Sequence, residues 1–374
     1  MSTFWPGVVV IMSLDLRQRL RGKAWYVLLG VFVGLVAIVT VLLRLALNSL
    51  GNADGGVGGG PIFSTVIYFV LLLGTLVAPA LSGTAINGDR EAGTLATTQV
   101  TLITTGQLLL GKFLAAWITA LAFLLASLPF LIYAAIVGGL SLATMVVSTL
   151  VLIFELGIVA AIGVGLSGIL ARPLFSIVVS YLVIAALSIG TLIAFGLGGI
   201  AVQSEAVSTE RSYIEQQPPD PLNPDAPMPA PIDPTKSTAP QPDVLPVCGP
   251  PTTNRYNVPR FDYFWGVLVA NPYVALADAV PAEFDAAGQP KDLFGIIKTG
   301  VRSTQQAPDL RPVNNYCTDT FVNRPTSKEI VDSTVPGWAV GLSIQLVLAL
   351  GALFWAYRRT RTPSGKLATG TRIA

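Results

Sequence analysis

Long apolar runs separated by short polar breaks form the main pattern of the chain. Each run is about as long as the roughly 20 residues that an α-helix needs to cross the hydrocarbon core of a bilayer. The runs cover about residues 25–47, 62–86, 113–137, 142–170, 174–200 and 336–357. The pattern therefore predicts an all-α polytopic membrane protein with six transmembrane helices, five of them within residues 25–200.

Basic residues predict how these helices are oriented. Lysine and arginine collect on the side of the two chain ends, whereas the short loops on the other side carry only Arg44. The basic residues on the side of the chain ends are Arg17, Arg19, Arg21, Lys23, Arg90, Lys112, Arg172, Arg358, Arg359, Arg361, Lys366 and Arg372. Because such residues favour the cytoplasmic side, we expect a multi-pass protein of the plasma (inner) membrane with both termini cytoplasmic.

The regions before the first span and after the last one follow from this orientation. Residues 1–24 mix apolar with basic positions and lack the small-residue cleavage site of a signal peptide. They predict an amphipathic helix lying in the cytoplasmic interface of the lipid bilayer. The alternative is a plain basic flank that only fixes orientation. Residues 358–374 are expected to be a basic cytoplasmic tail.

The long polar segment at 201–335 is expected on the outer side. Its part 213–251 is rich in proline and predicts an extended strap, and 252–335 predicts a small cap with aromatic clusters. The run 264–280 is too broken by Asn271-Pro272 to predict a further span. Cys248 and Cys317 both lie in this segment, where an oxidising compartment permits a disulfide between them. Two free thiols are the alternative.

The composition argues against an enzyme. Charged residues make up 12% of the 374 residues, about half of the usual share in soluble domains. The absence of histidine removes imidazole bases and histidine metal ligands, and two cysteines are too few for a four-ligand zinc site. We therefore expect no catalytic residue, no metal site and no cofactor in this chain. We also expect no nucleic-acid partner.

The break after the second span carries the densest charge at any apolar boundary. Asp89, Arg90 and Glu91 are followed by Gly93, Thr94 and an apolar side. On the predicted topology, residues 87–107 face the cytosol, and their charges have no evident partner in the short cytoplasmic loops. We interpret them as a docking element for another protein. The alternative is a solvated turn.

Two further patterns bear on function. Glu155 lies near the middle of the fourth run, where a carboxylate is costly in lipid and should face the bundle or a water path. It could contact cargo or a proton, or lock helices together. The stretch from Gly106 to Lys112 has P-loop spacing, but Phe113 replaces the required hydroxyl residue and no strand precedes it, so ATP binding is not expected there.

Together these features resemble the type-two ABC transporter permease family, in actinobacterial form, over about residues 8–200 and 261–360. The motifs that carry the resemblance are Asp89-Arg90-Glu91-Ala-Gly93-Thr94-Leu95, Gly111-Lys112, Ser167-Gly-Ile-Leu-Ala-Arg172-Pro173, Asn271-Pro272 and Arg361-Thr-Pro-Ser-Gly-Lys-Leu.

The resemblance implies an export permease that pairs with a second permease, identical or homologous, and with cytoplasmic ABC ATPase subunits. ATP and magnesium would be bound by those subunits. Residues 87–107 would be the coupling helix, with Asp89, Arg90, Glu91, Gly93 and Thr94 as its contact residues, and residues 1–24 would be the elbow helix. The cargo could be a lipid, drug, peptide or glycan. The alternatives are a membrane-anchored scaffold or receptor and an ion-coupled transporter that uses Glu155.

Overall fold

A computed structural model describes residues 4–49, 60–93, 103–213, 248–317 and 325–360 of the chain. The described chain is mainly helical, and six of its helices are long and apolar enough to cross a membrane. The prediction of a polytopic, mainly helical membrane protein is therefore confirmed. The strap residues 214–247 and the tail residues 361–374 lie outside the described residues.

The helices of the membrane part follow the apolar runs closely. They are α1 (Phe4–Arg21), α2 (Lys23–Ser49), α3 (Gly60–Ser82), α4 (Asn87–Glu91), α5 (Thr105–Gly138), α6 (Leu142–Ile169), α7 (Pro173–Ala185) and α8 (Thr191–Ala201). A π-helical segment, Ala186–Gly190, joins α7 and α8 into the fifth span. The last span is α13 (Trp338–Thr360).

The polar segment before the last span contains short helices and a small sheet. The elements are β1 (Gln203–Arg211), β2 (Thr252–Pro259), α9 (Trp265–Val269), α10 (Pro272–Ala279), α11 (Leu293–Ser303), β3 (Val313–Asn315) and α12 (Ser327–Ser333). In the sheet, β1 lies between an antiparallel β2 and a parallel β3.

The sheet is a correction to the all-α prediction. Strand β2 reads Thr-Thr-Asn-Arg-Tyr-Asn-Val-Pro, and most of its residues are exposed. Because neither face of this strand is apolar, it lacks the alternation of hydrophobic and polar residues that reveals a strand in a sequence. The strand is defined instead by its pairing with β1, to which it adds a polar outer edge.

Two spans form the centre of the bundle. More than half of the most apolar stretch of α3 and of α6 is buried, compared with about a fifth of that stretch in α2, α7–α8 and α13. Small residues allow α13 to approach α6 closely, since a Cβ on Gly165 would lie 2.7 Å from the Ala352 Cβ, and one on Gly168 would lie 2.6 Å from the Ala356 Cβ. Gly165 and Gly168 of the fourth span therefore serve helix packing, which is the usual role of such small residues in membranes.

The two ends of the bundle are built differently. The ends of α3, α6 and α13 meet beside the start of α5, where Ile86, Leu109, Ile169 and Ala356 form one buried cluster. We call this end the terminus side, because α13 ends there. The opposite end, which carries the described residues 202–213, 248–317 and 325–337, is the segment side. There α10 enters the main core, in which its Leu276 and Ala277 are fully buried.

The third span begins earlier than predicted. The apolar run predicts a start at about Phe113 and a coupling helix up to residue 107, whereas α5 begins at Thr105. The reason is a capping box, in which the Thr104 side chain accepts from the Gln107 amide and the Gln107 side chain accepts from the Thr104 amide. Gly111 and Lys112 are therefore inside the helix, in its second turn.

Candidate functional site

The predicted coupling segment begins as α4, directly beyond the second span. Asp89 and Arg90 are half-buried, whereas Glu91 and Gly93 are exposed. Gly93 follows the helix with a φ of 70°, a left-handed conformation that favours glycine. Thr94, the last of the predicted contact residues, lies outside the described residues.

A serine of the fourth span fixes the start of α4. Ser167 Oγ accepts hydrogen bonds from the backbone amides of Ile86 at 2.9 Å and Asn87 at 3.2 Å, and its hydroxyl donates to Asn87 Oδ1 at 3.1 Å. Ser167 and Asn87 are fully buried. These bonds satisfy polar groups at the turn between α3 and α4, so the direction of α4 is tied to α6.

A buried lysine joins α4 to the N-terminal helix. Lys112 Nζ lies 2.6 Å from Asp89 Oδ2 and 3.4 Å from Asp15 Oδ1, and its side chain is only 8% exposed. Asp15 also accepts from Arg19 at 2.9 Å. Two carboxylates and two basic groups therefore form a compact ion-pair network, in which each buried charge has an opposite neighbour.

This network corrects the expectation that the charges of the break have no partner within the chain. Asp89 is paired with Lys112, because the early start of α5 turns Lys112 toward both α1 and α4. The partner Asp15 is 97 residues away from Lys112, and sequence reasoning did not connect them. A usable signal was present, since Asp15 is the only acidic residue in a helix that contains Arg17, Arg19 and Arg21.

Close packing holds α1 along the start of α5. A Cβ on Gly111 would lie 2.8 Å from Ile11 Cβ and 3.0 Å from the Val8 carbonyl oxygen, so only glycine permits this approach without a shift. Gln107 Nε2 also donates to the Phe4 carbonyl at 3.0 Å. The N-terminal helix is therefore attached to the third span over its whole first half, as well as through Asp15.

The outward part of α4 is left for contact with another molecule. Glu91 is exposed, and among the described residues neither Glu91 nor Arg90 makes an ion pair. We call the contact of α4 with α1, α5 and α6, made through Asp89 and Ser167, the junction. It presents an acidic and a basic side chain on a short helix. That helix is anchored to α6 through Ser167 and to α5 and α1 through Asp89.

Glu155 lies in a second, fully enclosed polar cluster. Its side chain is 1% exposed, within the fourth span, and lies beside the side chain of Gln345 of the last span. Gln345 Nε2 also donates to the Ala270 carbonyl at 3.2 Å. Glu155 Oε1 and Gln345 Oε1 have no hydrogen-bond partner, and Glu155 makes no ion pair within the described ranges. The carboxyl group therefore lies between two spans and is enclosed by protein.

On the segment side, one aspartate organises the approach to the last span. Asp278 of α10 pairs with Arg302 of α11 at 2.6 Å, and both side chains are at most 6% exposed. Its other carboxylate oxygen accepts from the amides of Gly337 at 2.7 Å and Trp338 at 2.9 Å, where α13 begins. Nearby, Lys298 Nζ donates to the Val280 carbonyl at 2.6 Å, and burial lowers the pKa of this lysine. Asp278 was not singled out for this role in the sequence.

The predicted disulfide is confirmed. Cys248 and Cys317 are bonded, with their Cα atoms 5.8 Å apart. Tyr213 forms a β-bridge with Cys248, and its hydroxyl donates to the Cys317 carbonyl at 2.8 Å. The two points at which the strap leaves and rejoins the described chain are therefore held together.

No protein-family model matches this chain, and no curated protein matches it either.

Proposed function

We propose that the chain is the membrane-spanning permease subunit of an ABC exporter in the plasma membrane, with both termini in the cytoplasm. It would pair with a second permease, identical or homologous. A separate cytoplasmic ATPase would bind ATP and magnesium and would hydrolyse the ATP. The cargo class is a lipid, drug, peptide or glycan.

The observation that carries the proposal is the junction on the terminus side. An ATPase without a membrane domain can act on the spans only through a contact at their cytoplasmic ends. On the proposed orientation, the short helix α4 offers Glu91 and Arg90 at that position. Its anchors, Lys112 and Ser167, belong to the third and fourth spans, so a displacement of α4 is passed directly to both.

The charges on α4 suit a protein contact better than a lipid contact. Glu91 is exposed and acidic, and it would be repelled by anionic headgroups. A basic residue of a partner protein would form a charge-assisted contact with it, and truncation of such a contact costs a few kcal/mol once it is buried in an interface. This favours docking of a protein at α4.

The experiment reverses the charge of Glu91 in the full-length chain. Glu91→Arg should release the copurifying ATPase or allow ATP hydrolysis without transport, because the arginine would face a basic residue of the partner. Membrane insertion should not change. An acidic substitution of the facing basic residue in the ATPase should restore coupling.

The matched control is Glu205→Arg on the segment side. Glu205 is exposed and lies 3.3 Å from the exposed Arg255, so its reversal changes the net charge equally and far from α4. The parental and variant chains are purified in mild detergent, and the copurifying proteins are identified by mass spectrometry. Parental copurification and transport in the Glu91→Arg chain would refute the coupling role. A partner without a complete P-loop would refute the ABC assignment.

An ion-coupled transporter is the second candidate, and the enclosed Glu155 favours it. Its unpartnered carboxylate oxygen lies in the fourth span, where a proton or cation would satisfy it. Transport that follows a pH gradient, needs no ATP and is lost in Glu155→Gln would favour this candidate over the ABC permease.

A further inference from the structure

Asn271 joins the polar segment to the fifth span through both ends of its side-chain amide. Its Oδ1 accepts from the Tyr273 amide at 2.9 Å and the Val274 amide at 3.4 Å, which caps the start of α10. Its Nδ2 donates to the Ser188 carbonyl at 2.6 Å and to Thr191 Oγ1 at 2.9 Å. The residue is 1% exposed, so both sets of bonds are made away from water.

The donor end of Asn271 meets the one π-helical segment among the described helices. Ala186–Gly190 separates α7 from α8, and the Thr191 amide donates to the Ala186 carbonyl, five residues back. A π-helical hydrogen bond spans five residues instead of the four of an α-helix, and such segments are rare and often occur at functional sites. In the apolar interior of a membrane, a carbonyl left without a donor by this change is costly.

We infer that Asn271 is a positioning residue that keeps the fifth span in its π-helical register. The bond from Nδ2 to the Ser188 carbonyl stabilises the π form and is lost if the segment converts to an α-helix. Conversion would turn α8 relative to α7 by about 100° and shift it by about 1.5 Å, the increments of one residue in an α-helix.

The packing of α8 agrees with a fixed register. A Cβ on Gly198 would lie 2.6 Å from the Phe264 ring, and Gly199 lies against Phe261 even more closely. Both contacts require the glycines to face the polar segment. A rotation of about 100° would turn them away from the two rings. The register of the span and the position of the polar segment therefore depend on each other.

The same part of the polar segment is attached to two other spans. The Tyr68 hydroxyl donates to the Tyr273 carbonyl at 3.2 Å, and the Tyr273 hydroxyl lies 3.4 Å from Thr75 Oγ1, both on α3. Asp278 caps the start of the last span. Residues 271–279 are therefore bonded to the second and sixth spans, and Asn271 joins the fifth span to them.

Asn271→Asp separates the two roles of the residue. Aspartate keeps the acceptor oxygen that caps α10, but it replaces the two N–H donors with an acceptor facing the Ser188 carbonyl. Hydrogen exchange of the purified full-length chain is followed by mass spectrometry. We expect about tenfold faster exchange in peptides covering 183–192 and 265–279, and parental exchange in α6. If capping were the only role, Asn271→Asp would exchange like the parent.

Thr191→Val provides a second variant in case Asn271→Asp loses its fold. Valine keeps the branched shape of threonine and removes the hydroxyl, which accepts from Asn271 at 2.9 Å and itself donates to the Leu187 carbonyl at 2.8 Å. Its effect should be smaller, about threefold, and confined to the same two peptides. Parental exchange of both peptides in Asn271→Asp, or in Thr191→Val when Asn271→Asp unfolds, would overturn the inference. The hydrogen-exchange measurement requires no ATPase. Its result therefore tests the role of Asn271 independently of the proposed function.

Discussion

Replacement of Lys112 by methionine tests the ion-pair network on the terminus side. Methionine keeps the length and apolar stem of lysine and removes its charge. The change leaves Asp15 and Asp89 without the cation that lies 3.4 Å and 2.6 Å from them. Loss of one partner from a fully buried pair costs about 3–5 kcal/mol, because the other charge remains buried.

The expected cost here is lower, for reasons visible in the structure. Asp15 keeps its contact with Arg19 at 2.9 Å, and the Asp89 side chain is 32% exposed and thus partly hydrated. Exposed ion pairs contribute about 0–1 kcal/mol. Between these limits, we expect Lys112→Met to destabilise the folded chain by about 2 kcal/mol.

The assay is unfolding of the purified chain in mixed micelles with increasing SDS, followed by tryptophan fluorescence. Lys23→Met is the control, because Lys23 is exposed and makes no ion pair within the described ranges. It should stay within about 0.5 kcal/mol of the parent. A double-mutant cycle of Lys112→Met with Asp89→Asn should give a coupling energy of about 1 kcal/mol or more.

Two outcomes would refute this reasoning. One is a cost of Lys112→Met no greater than that of Lys23→Met, and the other is strict additivity with Asp89→Asn. Either would mean that the 2.6 Å contact contributes nothing to the fold. The coupling role of α4 would then have to rest on its anchor at Ser167 and not on the contact with Lys112.

Three further predictions follow from other parts of the structure. Asp278→Asn should destabilise the chain by about 3–5 kcal/mol in the same assay, since it leaves Arg302 buried without its carboxylate; a parental midpoint would show that the pair is not needed. Glu155→Gln should keep ATP-driven transport at the parental level, because a glutamine has nearly the same shape and can occupy the same enclosed place between the two spans; loss of transport with normal expression would assign Glu155 a direct role. Cysteines introduced at Ser237 and Ser364 should react with an impermeant thiol reagent in intact cells only at 237, and labelling at 364 would reverse the proposed orientation.

The membrane part could be predicted because its signal is carried by single runs of residues. Length and apolarity alone locate a spanning helix, and both are local properties. The start of the third span was missed for a local reason as well. Thr104 and Gln107 form a capping box in a polar stretch that had been assigned to the coupling helix. The residues with P-loop spacing, Gly106 to Lys112, lie within the helix α5.

The partners of the charged residues could not be predicted, because they are distant in sequence. Lys112 meets Asp15 only after α1 has packed against Gly111, and Arg302 meets Asp278 only after α10 has entered the core. The Asn271-Pro272 motif also illustrates this limit. Such a pair can indicate the cap and first residue of a helix, but it does not reveal the hydrogen bond from Asn271 to the π-helical segment.

The two ends of the bundle differ in how they could respond to a partner. On the segment side, Asp278 and Arg302 are almost completely buried, so a molecule in solution cannot reach them without opening the fold. On the terminus side, Asp89 is about one-third exposed and lies two residues before the exposed Glu91. A protein bound at Glu91 would also shield Asp89 from water, which strengthens the pair with Lys112 because the local dielectric falls. Binding of a partner would therefore strengthen the Asp89–Lys112 contact, and α4 would be held more firmly to α1, α5 and α6 when the partner is present.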